Sequence, residues 1–272
     1  EMSWDDLNEQ HYEWPAVEAV KEYREQVRQL IDQLIDDTAL KLPVDWNSLY
    51  WVLMMGIEHE RIHLETSSVL IRQLPTDLLD SKHGNWATSK EIETAAPQNE
   101  LLPVPAGTVV QEKTRDDSLY GWDNEYGRYE SDVSSFQASK YLVSHSEYLE
   151  FVEDGGYGDE SYWTPEGWQW IQYKQARAPQ FWIAQENGSY RFRTMLQEID
   201  MPWSWPVETN YLEAKAFCNW KRAKTGVPTR LPSEVEWYRL LDHTETTNVS
   251  EWDKAPGNLN LEDAASSVPV DK

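Results

Sequence analysis

The sequence predicts a chain in two parts. A portion of a helical bundle occupies residues 1–75, and an α+β domain with much irregular structure occupies 101–272, with a linker over 76–100 between them. Three observations lead there. Apolar residues recur at steps of three and four from Val17 to Leu34, and an apolar run from Leu49 to Ile57 opens a pattern that Pro75 stops. After Leu101, Pro and Gly punctuate short segments rich in Trp and Tyr.

In chain order, Trp14-Pro15 marks a helix entry, since Pro is tolerated in a first turn. Val17, Val20, Tyr23, Val27, Leu30, Ile31 and Leu34 then form one stripe, with charged residues such as Lys21, Glu22, Arg24 and Glu25 between them. An amphipathic helix with a buried face is expected. A second helix is expected from near Asp45, a good N-cap, to Leu74. Its first half is apolar nearly all round, which places it centrally in a bundle, antiparallel to the first helix. Residues 76–100 lack periodicity. In the second part, Val104–Val110 and Val133–Tyr141 read as strands, Val143–Val152 as a helix entered through Ser144 or Ser146, and Asn210–Lys224 as a helix with Leu212, Ala216, Phe217 and Trp220 on one side. Aromatic packing is expected to hold this part together.

Composition narrows the function classes. There are 24 Lys and Arg against 48 Asp and Glu, a formal charge of −24. That argues against nucleic acid and against anionic lipid as partners, because both need a basic face. Leu49–Ile57 is far too short to span a bilayer, and no signal-peptide pattern opens the chain. The single cysteine, Cys218, cannot form an internal disulfide, which fits a reducing compartment, the cytoplasm.

The chemistry is carried by His59-Glu60-Arg61-Ile62-His63-Leu64-Glu65. Residues four apart on a helix are offset by about 40°, with Cβ atoms roughly 5–6 Å apart. Both imidazoles can then close on one ion at about 2.0–2.1 Å. Iron, zinc and nickel all suit neutral imidazole, and spacing does not choose among them. Solvated surface histidines would show the same spacing. The apolar segment just before the pair argues instead that the rings project into the bundle, where coordination would satisfy them. Glu65 lies about 120° from His59 around the helix, so it is read as supporting a ligand or meeting another helix, and only secondarily as a third ligand. His11 is read as a surface loop residue, and His83, His145 and His243 as loop or surface residues without ligand spacing.

The pair on a long helix resembles the iron-binding motif of the DinB-like domain in non-haem sulfoxide synthases. The second part resembles the formylglycine-generating-enzyme-like domain fused to it in those enzymes. That resemblance rests on Gly121-Trp122-Asp123-Asn124-Glu125, Asp154-Gly155-Gly156-Tyr157, Trp163-Thr164-Pro165-Glu166-Gly167-Trp168, Pro206-Val207-Glu208-Thr209-Asn210 and Arg230-Leu231-Pro232-Ser233-Glu234-Val235-Glu236-Trp237. Within the group, Gly56 to Thr66 is most similar to the ovothiol-type enzymes, 5-histidylcysteine sulfoxide synthases. Ergothioneine-type relatives often carry Gln where this chain has Ile62. The resemblance implies Fe(II) held by three histidines, with cysteine, histidine and O2 as small-molecule substrates, and an internal piece of a longer enzyme. The first ligand would precede Glu1, and a tyrosine near the iron, the substrate-binding residues and any methyltransferase domain would follow Lys272. Such a piece would bind iron weakly and turn over poorly. Three open positions on the ion would suit thiolate, a second substrate and O2, in a pocket between the two parts.

Other features read as structural. Trp163, Trp168, Trp170, Tyr173, Trp182, Trp203 and Trp205 are expected to pack as core rather than form a sugar-binding face, and Cys218 to pack as a small hydrophobe. Asp116-Asp117 and Asp123–Glu125 read as solvated turns, and Arg128, Arg177, Arg191 and Arg193 as surface or structural pairs rather than clamps for a substrate carboxylate. Three other functions compete. An ergothioneine-type sulfoxide synthase is the nearest of them, a DinB-like metal-dependent thiol transferase would work without O2, and a lectin-like binding module would ignore chelators.

Overall fold

A computed structural model of the chain describes residues 13–80, 87–92, 95–117, 119–243, 257–258 and 264–272. Contacts divide it into two compact units, Glu1–Glu58 with Asp116–Trp122, and His59–Arg115 with Asp123–Lys272.

The first unit holds helix α1 (Val17–Asp37) and the opening turns of helix α2 (Leu49–Arg72). Asp45 shapes the entry to α2 through an Asx turn, accepting from Asn47 N, and the Ser48 hydroxyl accepts from Tyr50 N. Tyr50 Oη donates to the Thr38 carbonyl at 2.7 Å, tying the start of α2 to the end of α1. Trp46 stacks on Trp51, which meets Tyr120. The expected buried stripe is not buried. Val17, Tyr23 and Leu30 are 61, 66 and 66% exposed, and no residue of α1 or α2 is buried. Periodicity makes an amphipathic helix, but burial also needs a covering partner, and none lies over these faces among the described residues.

In the second unit, β1 (Leu101–Val104) pairs antiparallel with β4 (Phe136–Ser139), and β2 (Gly107–Lys113) with β3 (Gly127–Val133). The single strand expected over Val104–Val110 is thus two, divided at Pro105-Ala106, where proline offers no N–H to a ladder. Val133 closes β3 rather than opening a strand through Tyr141. A third antiparallel sheet is β5 (Trp182–Ala184), β6 (Tyr190–Arg193) and β7 (Glu198–Asp200), with β6 central.

Helices α3 (His145–Glu153), α4 (Pro165–Lys174), α5 (Tyr211–Thr225) and α6 (Glu234–His243) complete the unit. Their starts are chemically marked. Ser144 and Thr164 accept from Glu147 N and Gly167 N, and Asn210 forms a capping box with Glu213. Ser233 and Glu236 exchange the same bonds at α6, and the bidentate ion pair with Arg230 holds the Glu236 carboxyl down to about 2.

Tyr148, Phe151, Tyr157, Trp163, Trp182, Phe192, Trp205, Phe217 and Trp220 form the core, with Trp168, Trp170 and Trp203 packed against it. The aromatic-core expectation holds except at Tyr173, which is exposed, and Cys218 is buried as expected. Tyr157 Oη donates to Glu213 at 2.5 Å, and burial pushes that carboxyl up. Among the described residues no helix is long and apolar enough to cross a membrane.

Gly156 shows how tight this core is. Its N–H donates to the Phe151 carbonyl, and a Cβ there would sit 2.0 Å from the fully buried Phe151 ring. Gly156→Ala is therefore expected to destabilise the protein by about 2–3 kcal/mol, read as a lower denaturant midpoint at unchanged slope. An unchanged midpoint would show that the ring has room.

Candidate functional site

Helix α2 carries His59 and His63 one turn apart. Their ring centres are 4.5 Å from each other, with the planes at 83°. For metal–nitrogen bonds of ~2.0–2.1 Å, two imidazoles at about a right angle on one ion have centres about 4.5 Å apart. The pair therefore has the spacing of two ligands of a single ion, and the donor set fits a ferrous ion. Among the described residues, no three His, Cys, Asp or Glu side chains converge on a point that could hold a metal, so these two would be a partial ligand set. Both histidines are exposed rather than projecting into a bundle interior, for the same reason that α2 as a whole is uncovered. Glu65 is exposed too.

The far end of α2 is held by a cluster absent from the sequence-level reading. Arg72 Nη1 donates to Glu208 Oε2 at 2.6 Å and Nη2 to the Arg193 carbonyl at 2.7 Å. Its guanidinium lies 3.6 Å over the Phe181 ring. Arg193 returns a bond to the Leu74 carbonyl at 3.0 Å and caps the carbonyls of Thr194 and Met195. Burial, then the Arg72 charge, lowers the Arg193 pKa. Glu208 lies in the Pro206–Asn210 stretch, so its motif was visible while its partner was not.

Helix geometry fixes which way the two features face. Arg72 is nine residues after His63 and seven after Glu65, rotations of about 180° and 20°. Glu65 therefore shares the face that docks through Arg72, and the histidines look the other way. A cavity of about 440 Å³ opens on the Arg72 face, lined among others by Ser68, Val69, Phe192, Thr194 and Glu208. It does not adjoin the histidine face.

His145 departs most from expectation, being fully buried rather than at the surface. Ser144 starts α3 so that the imidazole packs between Trp182 and Phe192, and Trp182 Nε1 donates to Nδ1 at 3.0 Å. The acceptor role of Nδ1 places the ring proton on Nε2, which is buried without a partner among the described residues. Burial, and then the Arg72 charge, push its pKa down to about 3. A motif reader sees only a histidine in a polar Ser-His-Ser context, with no signal of the tryptophan 37 residues away. His11 and His83 lie outside the described residues.

Arg128 pairs with Glu112 and Glu130, Arg191 pairs with Asp200 and Arg193 is buried among carbonyls, as the structural readings have it. Arg177 is exposed, and Asp123–Glu125 form a 3₁₀ turn.

A family profile described as a sulfatase-modifying factor enzyme 1-like domain matches residues 88–264. The chain is also similar to hercynine oxygenase of Mycobacterium tuberculosis, 32% identical over 151 residues (55% of this chain, 31% of that protein). Similarity to hercynine oxygenase of Mycolicibacterium smegmatis is 31% over 207 residues (74% and 44%). With ergothioneine biosynthesis protein 1 of Neurospora crassa it is 29% over 149 residues (52% and 17%). The chain thus spans less than half the length of each of these relatives.

Proposed function

Because this chain belongs to the family of sulfatase-modifying factor enzyme 1-like domains, we propose that it is part of an Fe(II)- and O2-dependent sulfoxide synthase. The observation that carries the reading is the His59–His63 pair, with the spacing of two ligands of one ion, beside a domain whose relatives are named for hercynine oxygenation and ergothioneine biosynthesis. In this reading residues 1–75 are the DinB-like, metal-carrying portion, 76–100 the linker and 101–272 the formylglycine-generating-enzyme-like domain. The reaction joins a thiol sulfur to an imidazole carbon. Thiol, imidazole and O2 give the sulfoxide and water, so the two substrates supply the four electrons that reduce O2.

A bound ferrous ion would supply the site where thiolate and O2 are activated together. His59 and His63 would hold it through neutral imidazole nitrogens. Glu65, on the face of α2 opposite the two histidines, would orient the helix rather than bind the ion.

Two readings of the imidazole substrate have specific support. The relatives' names favour hercynine and an ergothioneine-type enzyme. Ile62, where ergothioneine-type enzymes often carry Gln, favours histidine and an ovothiol-type enzyme. The full polypeptide, loaded anaerobically with Fe(II), should consume O2 with cysteine and one of the two imidazoles and yield a product with a new C–S bond. O2-independent thiol transfer, or no such product with either imidazole, would overturn the proposal.

A further inference from the structure

We propose that Arg72 and Glu208 are positioning residues that seat the metal-bearing helix on the β5–β7 sheet and so fix where His59 and His63 stand relative to the α+β domain. The inference rests on the metal reading above only for what the histidines do. The seating itself stands on contacts.

Three separate segments converge on one guanidinium. Glu208, after Pro206, takes its charge. The Arg193 carbonyl, at the end of β6, takes a second N–H, and the Phe181 ring, just before β5, covers its face. The ion pair is mostly shielded, with the Arg72 side chain 12% exposed and Glu208 35% exposed. Arg193 crosses back to the Leu74 carbonyl, so strand and helix end each donate to the other's backbone. Guanidinium suits this role because its planar fork serves two acceptors while its face stacks. Pro75 then ends the helix directly after the clamp.

Nine residues of α2 separate His63 from Arg72, about 14 Å of rigid rod. A pivot of about 10° at the clamp would carry the two imidazoles about 2–3 Å, and displacements of about 1 Å suffice to cost a reaction 100-fold. The two histidines ride on the same helix, so loosening the clamp moves them together. It leaves their mutual spacing, and the affinity they contribute, unchanged. That separates positioning from ligation.

The test measures position directly. Cu(II)-iminodiacetate, which two imidazoles one turn apart chelate, is loaded at the pair in the full polypeptide, with a nitroxide at Tyr173→Cys on α4. Pulsed dipolar spectroscopy then gives the distance distribution between them. A narrow distribution is expected in the parent, and one at least twofold broader or shifted in Arg72→Gln and Glu208→Gln. Arg72→Lys should be intermediate, and Cu(II) affinity unchanged throughout. Should Arg72→Gln fail to fold, Glu208→Gln, which keeps the shape of the site, carries the same reading. Distributions as narrow as the parent's in the folded variants would overturn the proposal. If Cu(II) binds His59→Ala as well as the parent, the metal reading fails instead. Hydrogen exchange over residues 64–74 then decides the clamp: at least tenfold faster exchange in Glu208→Gln supports it and unchanged rates overturn it.

Discussion

Alanine at His59 or at His63 is expected to lower the affinity of the full polypeptide for ferrous ion by at least about 100-fold, more than the loss of an outer partner of a ligand costs, and to reduce O2-dependent product formation to background. An anaerobic titration against a competing chelator measures the first quantity and product analysis the second. Stability should not fall in either variant. Both side chains are exposed on an uncovered helix face, and alanine is the better helix former. Loss of binding without loss of stability is the signature of a ligand. Affinity within threefold of the parent would place the ion elsewhere.

The second large effect is acid sensitivity through His145. Its pKa is 6.5 when exposed and about 3 in the folded chain, lowered by burial and then by Arg72. Between those values the unfolded chain binds a proton that the folded chain excludes, so stability falls as pH falls through this window. The slope approaches about 1.4 kcal/mol per pH unit. From pH 6.5 to 4.5 the loss should be roughly 2 kcal/mol. Glu213 acts with the opposite sign, since its raised carboxyl pKa favours the folded state as pH falls. Asp154 and Asp159, whose pKa values are lowered, lose stabilisation mainly below this window. All three are common to the parent and to His145→Gln, so the difference in slope between the two isolates the histidine. Equal slopes would mean that His145 is protonated in the native state.

What the sequence shows of this protein is mostly local. The entry to α3 at Ser144, one of the two serines offered for it, the apolar side of α5 and the four-residue spacing of the two histidines are written within a few residues of where they act, and the structure has all three. Burial of α1 and α2 is not local. Their stripes specify helices, while covering them requires a surface supplied from elsewhere. Strand β3 was missed because Gly127–Val133 is solvated on nearly every residue and carries no alternating apolar pattern. The Arg72–Glu208 pair spans 136 residues, and His145 on α3 is hidden by Trp182 and Phe192 of the β5–β7 sheet. These features depend on tertiary contacts that periodicity and motifs do not encode.

Fe K-edge X-ray absorption on the anaerobic Fe(II)-loaded full polypeptide counts imidazoles at the ion. If His59 and His63 grip it, the count falls by one in His59→Ala or His63→Ala and by two in the double variant. An imidazole shell that survives the double substitution intact would place the iron away from α2 and contradict the account.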